Sequence, residues 1–133
     1  MSRTLGVDYG TKRVGLALSD ALGLTAQPLD VVPRESVVSY VERLAEEKEI
    51  GKIVVGLPTG LAGAEGESAS GARLLGRQLG EATGCTVEFL DEKFTSRMAE
   101  SALLESGMKR RGRREKVDKV AAAIILQDYL DSQ

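Results

Sequence analysis

The chain has 133 residues and a formal net charge of −2, with 42% hydrophobic and 29% charged residues, the proportions of one ordinary globular domain. Its single cysteine, Cys85, excludes an internal disulfide, and the absence of histidine excludes Ser–His or Cys–His catalysis and a zinc site built on imidazole. An acid or base acting at neutral pH must therefore be a carboxylate, a lysine, a tyrosine or a metal-bound water. No apolar run approaches twenty residues and no signal-peptide pattern is present, so we expect a cytoplasmic protein outside the membrane.

The stretch "TLGVDYGTKRVGLALSD", Thr4 to Asp20, has the alternation of two strands joined by a polar turn. We predict a β-hairpin with one face of large apolar side chains and an opposite face that carries almost none. The large apolar positions are Leu5, Val7, Tyr9, Val14, Leu16 and Leu18. A third, short strand is predicted from Pro28 to Val32, with the proline at its start or on a sheet edge.

Helices and strands then alternate along the chain, which predicts a mixed-sheet α/β domain in one piece. The predicted elements are a helix from Ser36 to Glu49, a strand from Lys52 to Leu57, a Gly-rich loop, a helix from Ser68 to Thr83 followed by Gly84 at C′, the strand "TVEFLD", a helix capped by Thr95 or Ser96 that ends before Gly107, and a helix from about Glu115 to Asp131. The last helix is expected to turn Val117, Val120, Ala121, Ile124 and Ile125 toward the core.

One acid, Asp8, stands in an apolar strand between two glycines of the same face, Gly6 and Gly10. The two missing side chains predict open space above the sheet, where a metal ion and a phosphate could approach. A strand acid solvated on an exposed face is an equally good interpretation of this strand alone, so Asp8 needs partners.

Two further acids are candidate partners. Glu92 comes just after a predicted strand, where open sheets tend to form ligand sites. Asp118 opens the last helix and is followed at i+3, i+4 and i+7 by apolar residues. Glu92 could instead be a solvated loop acid, with Asp91 as a rival, and Asp118 could simply interact favourably with the helix dipole.

The segment "KRRGRREK", Lys109 to Lys116, holds six basic residues and one acid directly before Asp118. We predict a loop between two helices, mobile in the free protein, because the arginine spacing does not fit a helix face and Gly112 permits a bend. Its expected partner is the nucleic-acid backbone, and the alternative is a solvated linker. For Lys12 and Arg13 at the hairpin tip, a merely solvated turn is the alternative. The predicted nucleic-acid contacts are Lys12 and Arg13 at the hairpin tip, with Lys109, Arg110, Arg111, Arg113, Arg114 and Lys116.

Four segments, "GVDYGTKRVGLALSD", "KIVVGLP", "DEKFTS" and "KVDKVAAAIILQDYLD", together resemble the YqgF/RuvX family. Its members are described as Holliday junction resolvases or as nucleases that mature the small-subunit ribosomal RNA precursor. The similarity is collinear and implies one nuclease domain over residues 1–133. It implies an α/β, RNase H-like fold, a mixed five-stranded sheet with an N-terminal antiparallel hairpin and helices on both faces. It also implies that Asp8, Glu92 and Asp118 are the catalytic and metal-binding acids.

Three carboxylates that converge from a strand, a loop and a helix can hold Mg²⁺ or Mn²⁺ through oxygen ligands alone. Such ions lower the pKa of bound water and neutralise charge on the scissile phosphate. The resemblance thus implies metal-dependent hydrolysis of structured nucleic acid, with 5′-end maturation of pre-16S rRNA preferred and cleavage of branched DNA as the alternative. Family members usually read L-P-L-N-x-D-G after the central strand. This chain reads "LPTGLAGAEG", so no substrate or metal contact is carried over to this loop.

Two other classes of protein remain as alternatives. An actin-like ATPase or sugar kinase also begins with an acid in an apolar strand followed by a hairpin, but it needs two such domains, and nucleotide binding would identify it. A non-catalytic RNA-binding module would keep the basic segment without the chemistry. Aromatic residues are only 4% of the chain, which gives little support to recognition by base stacking.

Overall fold

The computed structural model describes residues 2–58, 67–92 and 110–133, without the side chains of residues 58, 67, 68, 92 and 110–118. The described elements are β1 (Arg3–Asp8), β2 (Arg13–Ser19), β3 (Ala26–Pro33), a 3-10 turn (Arg34–Ser36), α1 (Val37–Lys48), β4 (Ile50–Pro58), α2 (Glu67–Thr83), β5 (Thr86–Glu92) and α3 (Arg110–Asp131). The Gly-rich loop, the helix predicted between Thr95 and Gly107, and Lys109 lie outside these ranges.

The strands form one mixed sheet in the order β3-β2-β1-β4-β5. β1 and β2 pair antiparallel with Val7 opposite Leu16, which confirms the predicted hairpin, and β3 pairs antiparallel with β2. β1, β4 and β5 are parallel to one another. β3 is longer than predicted and contains Pro28, which lies opposite Ala17 beside a shift in register. An outer strand accommodates a proline because the missing N–H can face away from the sheet.

The main core lies between one face of the sheet and the helices α1 and α2. The large apolar residues of β1, β2 and β4 are buried there, and Leu5, Val7, Leu16 and Ile53 are completely inaccessible. Helix α1 presents the face that its periodicity predicts, with Val37, Val41 and Leu44 buried. After α2, Gly84 adopts a φ of +75° and donates its N–H to the carbonyl of Gly80, as predicted for a C′ glycine.

Helix α3 covers the other face of the sheet, so helices lie on both faces as predicted. Ala17 of β2 packs against Ala122 and Leu126, all completely buried. A Cβ atom added to Gly6 would lie 2.7 Å from the Cβ of Leu126 and 2.9 Å from the carbonyl oxygen of Ala122. The prediction of open space above Gly6 is therefore wrong, because the missing side chain admits a helix rather than a ligand.

The basic segment before Asp118 is the second correction. Helix α3 begins at Arg110, so the backbone of Arg110 to Lys116 is helical and does not form the predicted loop. Arginine, lysine and glutamate are good helix formers, and one glycine costs only about 1 kcal/mol in a helix interior. The propensity of the whole segment outweighs Gly112 and the irregular spacing of charge.

The inward face of α3 is also rotated from the predicted one. Its buried residues are Ala121, Ala122, Ile125, Leu126 and Tyr129, whereas Val120 and Ile124 are half-buried. Small alanines face the sheet where Gly6 and Ala17 let the helix approach. Larger apolar residues at those positions would hold the helix farther away.

Within the described residues, no helix is long and apolar enough to cross a membrane.

Candidate active site

Two of the predicted acids end parallel strands at one edge of the sheet. Asp8 is the last residue of β1 and lies opposite Gly56 of β4, and Glu92 is the last residue of β5 and lies opposite Pro58. Two strand spacings and two residues of rise put their Cα atoms on the order of 12 Å apart. Glu92 is thus a strand residue and not the loop residue that we predicted. The carboxyl edge of a parallel sheet is where open α/β sheets bind ligands.

The third predicted acid belongs to a helix that runs antiparallel to β1. Tyr129, near the end of α3, hydrogen-bonds Lys52 at the amino end of β4, while Ala122 lies over Gly6 in the middle of β1. The amino end of α3 therefore points toward the edge where Asp8 lies. Asp118 precedes Ala122 by one turn, about 6 Å, and Asp8 follows Gly6 by about 6.6 Å. The backbones of the two acids thus lie at the same level of the fold.

The face of Asp8 follows from its strand. Asp8 is half-buried and shares with Gly6 the side covered by α3, whereas Tyr9 points to the α1 and α2 side. Among the side chains that the structure describes, no three acidic or cysteine side chains are grouped closely enough to hold a cation. The side chains of Glu92 and Asp118 lie outside that set, so the acid triad stays a prediction. The carboxylate oxygens of such a triad are the kind of ligand that Mg²⁺ and Mn²⁺ prefer.

The carboxyl end of α3 is fixed by a polar cluster near the amino ends of β4 and β5. Lys52 Nζ donates to the Tyr129 hydroxyl over 2.7 Å and lies 3.1 Å from the Glu88 carboxylate, to which the Tyr129 hydroxyl also donates. The hydrogen bonds from Tyr129 and then Lys52 lower the pKa of Glu88, and those with Tyr129 and then Glu88 raise the pKa of Lys52. Gln127 adds bonds to the backbone of β3 and the turn before it. These contacts set the position of the helix that carries Asp118.

Basic residues of the hairpin tip and of the segment after β3 lie at the same edge of the sheet as Asp8. The tip that carries Lys12 and Arg13 is tight, because a Cβ atom on Gly10 would lie 2.4 Å from the carbonyl oxygen of Arg13. The backbone N–H of Arg34 donates to the carbonyl oxygen of Lys12 over 3.0 Å. Sequence reasoning missed Arg34, although its place two residues after the predicted third strand put it at this end of the sheet.

A groove of about 400 Å³ between α2 and β5 lies away from these residues. It is lined by Arg73, Arg77, Phe89 and neighbouring side chains, on the α1 and α2 side of the sheet. Among the described residues that line it, Glu81 is the one acid. A single carboxylate cannot form the predicted acid set, so we do not assign the chemistry to this groove.

Known proteins resemble this chain over nearly its whole length. Residues 2–132 match the family RuvX, described as Holliday junction resolvase. A relative from Anaeromyxobacter sp. is 45% identical, covering 98% of both chains, and one from Pelotomaculum thermopropionicum is 44% identical over 98% of this chain and 88% of its own. Both are named "Putative pre-16S rRNA nuclease".

Solved structures share the fold at low identity. T. thermophilus RuvC in complex with a Holliday junction substrate superposes with a TM-score of 0.60 at 16% identity, covering 99% of this chain and 95% of that one. The fowlpox virus Holliday junction resolvase gives a TM-score of 0.56 at 14% identity, covering 98% and 99%. The predicted RNase H-like fold is confirmed, and the match to the family in sequence confirms the resemblance.

Proposed function

Because the chain belongs to the RuvX family, we propose that it is a nuclease that hydrolyses phosphodiester bonds of structured nucleic acid with divalent cations. The substrate that we favour is the precursor of 16S rRNA, since relatives at 40–45% identity carry that name. A four-way DNA junction is the second candidate, supported by the family description. We assign the activity to a single domain over residues 1–133, acting in the cytoplasm, where such an RNA precursor would be met.

The observation that carries this proposal is the place of Asp8 in the fold. It ends the central strand β1, with Glu92 ending a parallel strand at the same edge and the amino end of α3 directed toward it. These backbone positions support the proposal that acids from three elements distant in sequence act together at this edge. In a chain without histidine, such a set of carboxylates is one way to hold the cations that activate water at neutral pH.

In this mechanism, Asp8, Glu92 and Asp118 would hold Mg²⁺ or Mn²⁺. Bound there, such an ion supplies an acidified water and neutralises charge on the phosphate. The protein contributes positions: β1 and β5 are fixed by their pairing with β4, and α3 is fixed by its close contact at Gly6 and its polar anchors at Tyr129. Rigid elements hold a reacting geometry better than loops do.

The charge at the start of α3 supports nucleic acid as the partner. The amino end of a helix carries a partial positive charge, so basic residues in the first turns are unfavourable, by about 0.3–1 kcal/mol each. The first turn of α3 contains no acid. Phosphates would offset both the helix dipole and the basic residues. We therefore keep as proposed contacts Lys12 and Arg13 and the segment residues Lys109, Arg110, Arg111, Arg113, Arg114 and Lys116.

The test is cleavage by the purified protein of a pre-16S rRNA fragment and of a four-way DNA junction, in Mg²⁺, Mn²⁺ and chelator. Asp8→Asn keeps the shape and removes the charge, so we expect cleavage to fall more than about 100-fold with the melting temperature preserved. Asp20→Asn is the matched control, since Asp20 lies outside the proposed acid set and asparagine keeps its acceptor oxygen. Full activity of Asp8→Asn would contradict the mechanism. Metal-independent RNA binding without cleavage would indicate the non-catalytic module instead.

A further inference from the structure

Arg34 is held in place by three elements at the edge where Asp8 lies. Its guanidinium carbon stands 5.7 Å from the centroid of the Tyr9 ring, and Nη2 donates to the side-chain oxygen of Gln78 on α2 over 3.3 Å. Its backbone N–H donates to Lys12 at the hairpin tip. The two side-chain contacts and the fixed backbone have already removed part of the rotamer freedom that binding would otherwise remove.

Among the side chains that the structure describes, none forms an ion pair with Arg34. Its guanidinium meets an aromatic ring and a neutral amide. A guanidinium has five N–H donors in a planar fork, and one bond to Gln78 leaves donors for a further acceptor. The fork matches the oxygens of a phosphate group, with which arginine can form two parallel hydrogen bonds.

The position of Arg34 relates it to Asp8. Arg34 follows Pro33, which lies opposite Arg13, and Asp8 lies opposite Gly15 on the same strand β2. Tyr9, whose ring lies below the Arg34 guanidinium, is the residue after Asp8. Two strand spacings separate β1 from β3, so the Cα atoms of Arg34 and Asp8 lie on the order of 10–15 Å apart. This separation corresponds to a few phosphates along one strand of a duplex.

We propose that Arg34 binds a backbone phosphate of the substrate a few nucleotides from the scissile bond. This inference rests on the proposed function, which it deepens by giving the substrate a path. The nucleic-acid strand passes from the amino end of α3, over the carboxyl edge of the sheet, to Arg34 and Lys12 on the hairpin side. Contacts on both sides of Asp8 fix the register of the strand, and this is the usual role of phosphate contacts.

The test compares Arg34→Gln, Arg34→Lys and the control Arg43→Gln, which removes an exposed charge from α1. Affinity for a 20-base-pair RNA duplex and for the pre-16S rRNA fragment is measured in chelator over a range of salt. For Arg34→Gln we expect roughly tenfold weaker binding at low salt and a salt slope for the duplex smaller by about 0.9, since one phosphate contact is lost. Arg34→Lys should keep the slope with intermediate affinity, and Arg43→Gln should match the wild type.

The outcomes separate this inference from the proposed function. If Arg34→Gln binds with wild-type affinity and slope while the wild type cleaves, the contact is refuted and the nuclease stands. If the wild type cleaves nothing but the slope falls only for Arg34→Gln, the contact stands and the nuclease is refuted. Should Arg34→Gln fail to fold, Arg34→Lys decides: weaker binding at an unchanged slope supports the inference, and wild-type binding overturns it.

Discussion

Replacing Gly6 by alanine tests the contact that joins α3 to the sheet. The added Cβ would lie 2.7 Å from the Cβ of Leu126 and 2.9 Å from the backbone oxygen of Ala122, and neither atom can rotate away. Carbon atoms pack at about 3.5–4.0 Å, so the helix must move outward by about 1 Å. Overpacking of this kind costs about 1–3 kcal/mol, reduced slightly because alanine lowers the entropy of the unfolded chain.

The displacement should affect the proposed site as well as stability. Helix α3 carries Asp118 one turn before Ala122, so an outward movement at Gly6 also moves that acid relative to Asp8. A misplacement of about 1 Å can reduce a catalysed rate about 100-fold. We therefore expect Gly6→Ala to melt roughly 3–10 °C lower and to bind Mn²⁺ and cleave substrate more weakly than the wild type.

The assay is thermal unfolding followed by Mn²⁺ titration, with Gly51→Ala as the matched control. Gly51 is also a strand glycine, and a Cβ added there would lie 2.6 Å from Oγ and 2.7 Å from Cβ of Ser2. Because Ser2 is an exposed residue before β1, its displacement disturbs no core packing, so this variant should lose less stability than Gly6→Ala. A Gly6→Ala protein with an unchanged melting temperature and Mn²⁺ affinity would refute the close packing of α3 on β1.

Three further changes have expected outcomes. Tyr129→Phe removes the hydroxyl that lowers the pKa of Glu88, so NMR titration should show that pKa rising toward its ordinary value near 4.5, with about 1 kcal/mol lost in urea unfolding; an unchanged titration would contradict the cluster. The pKa of Asp20 lies below its ordinary 3.8, mainly because the N–H of Leu24 donates to its carboxylate. The ionised carboxylate therefore stabilises the folded protein above pH 3.8, and this stabilisation is lost as pH falls through the lowered pKa. Asp20→Asn should remove this contribution to the pH dependence of the unfolding free energy between pH 2 and 5. A curve of unfolding free energy against pH identical to that of the wild type would exclude the contribution. Gly84→Ala, at a φ of +75° with open space around it, should cost about 1–2 kcal/mol of unfolding free energy, and no loss would exclude the left-handed conformation.

Alternation and periodicity were enough to predict the hairpin, the order of the described elements and the face of α1, because each of these is a local property. Tertiary contacts decided what the sequence could not show. Gly6, two residues before Asp8, predicts space for a ligand, but a helix more than a hundred residues later fills that space. The charge pattern of the basic segment predicts a loop, but helix propensity prevails at Arg110 to Lys116.

The acids of the candidate site show the same division. Asp8 and Glu92 could be expected at one edge because parallel strands end together. The turn of α3 that carries Asp118 was indicated by the apolar residues after it, Ala121, Ala122 and Ile125, which are all buried. For Arg34, the sequence indicates only its place after the predicted third strand, because its contacts with Tyr9 and Gln78 come from two other elements.

The dependence of the first three strands on α3 bears on how the protein is synthesised. Ala26 donates its N–H to Gln127, 101 residues later, and Ala17 is buried in a cluster with Ala122 and Leu126 of α3. While the ribosome is still translating the middle of the chain, one side of the emerging sheet has no cover, and Asp118 has not been made. Contacts across such long sequence separations form late and slowly. A partly translated chain therefore cannot assemble the proposed acid set, and hydrolytic activity would begin only after release of α3 from the ribosome.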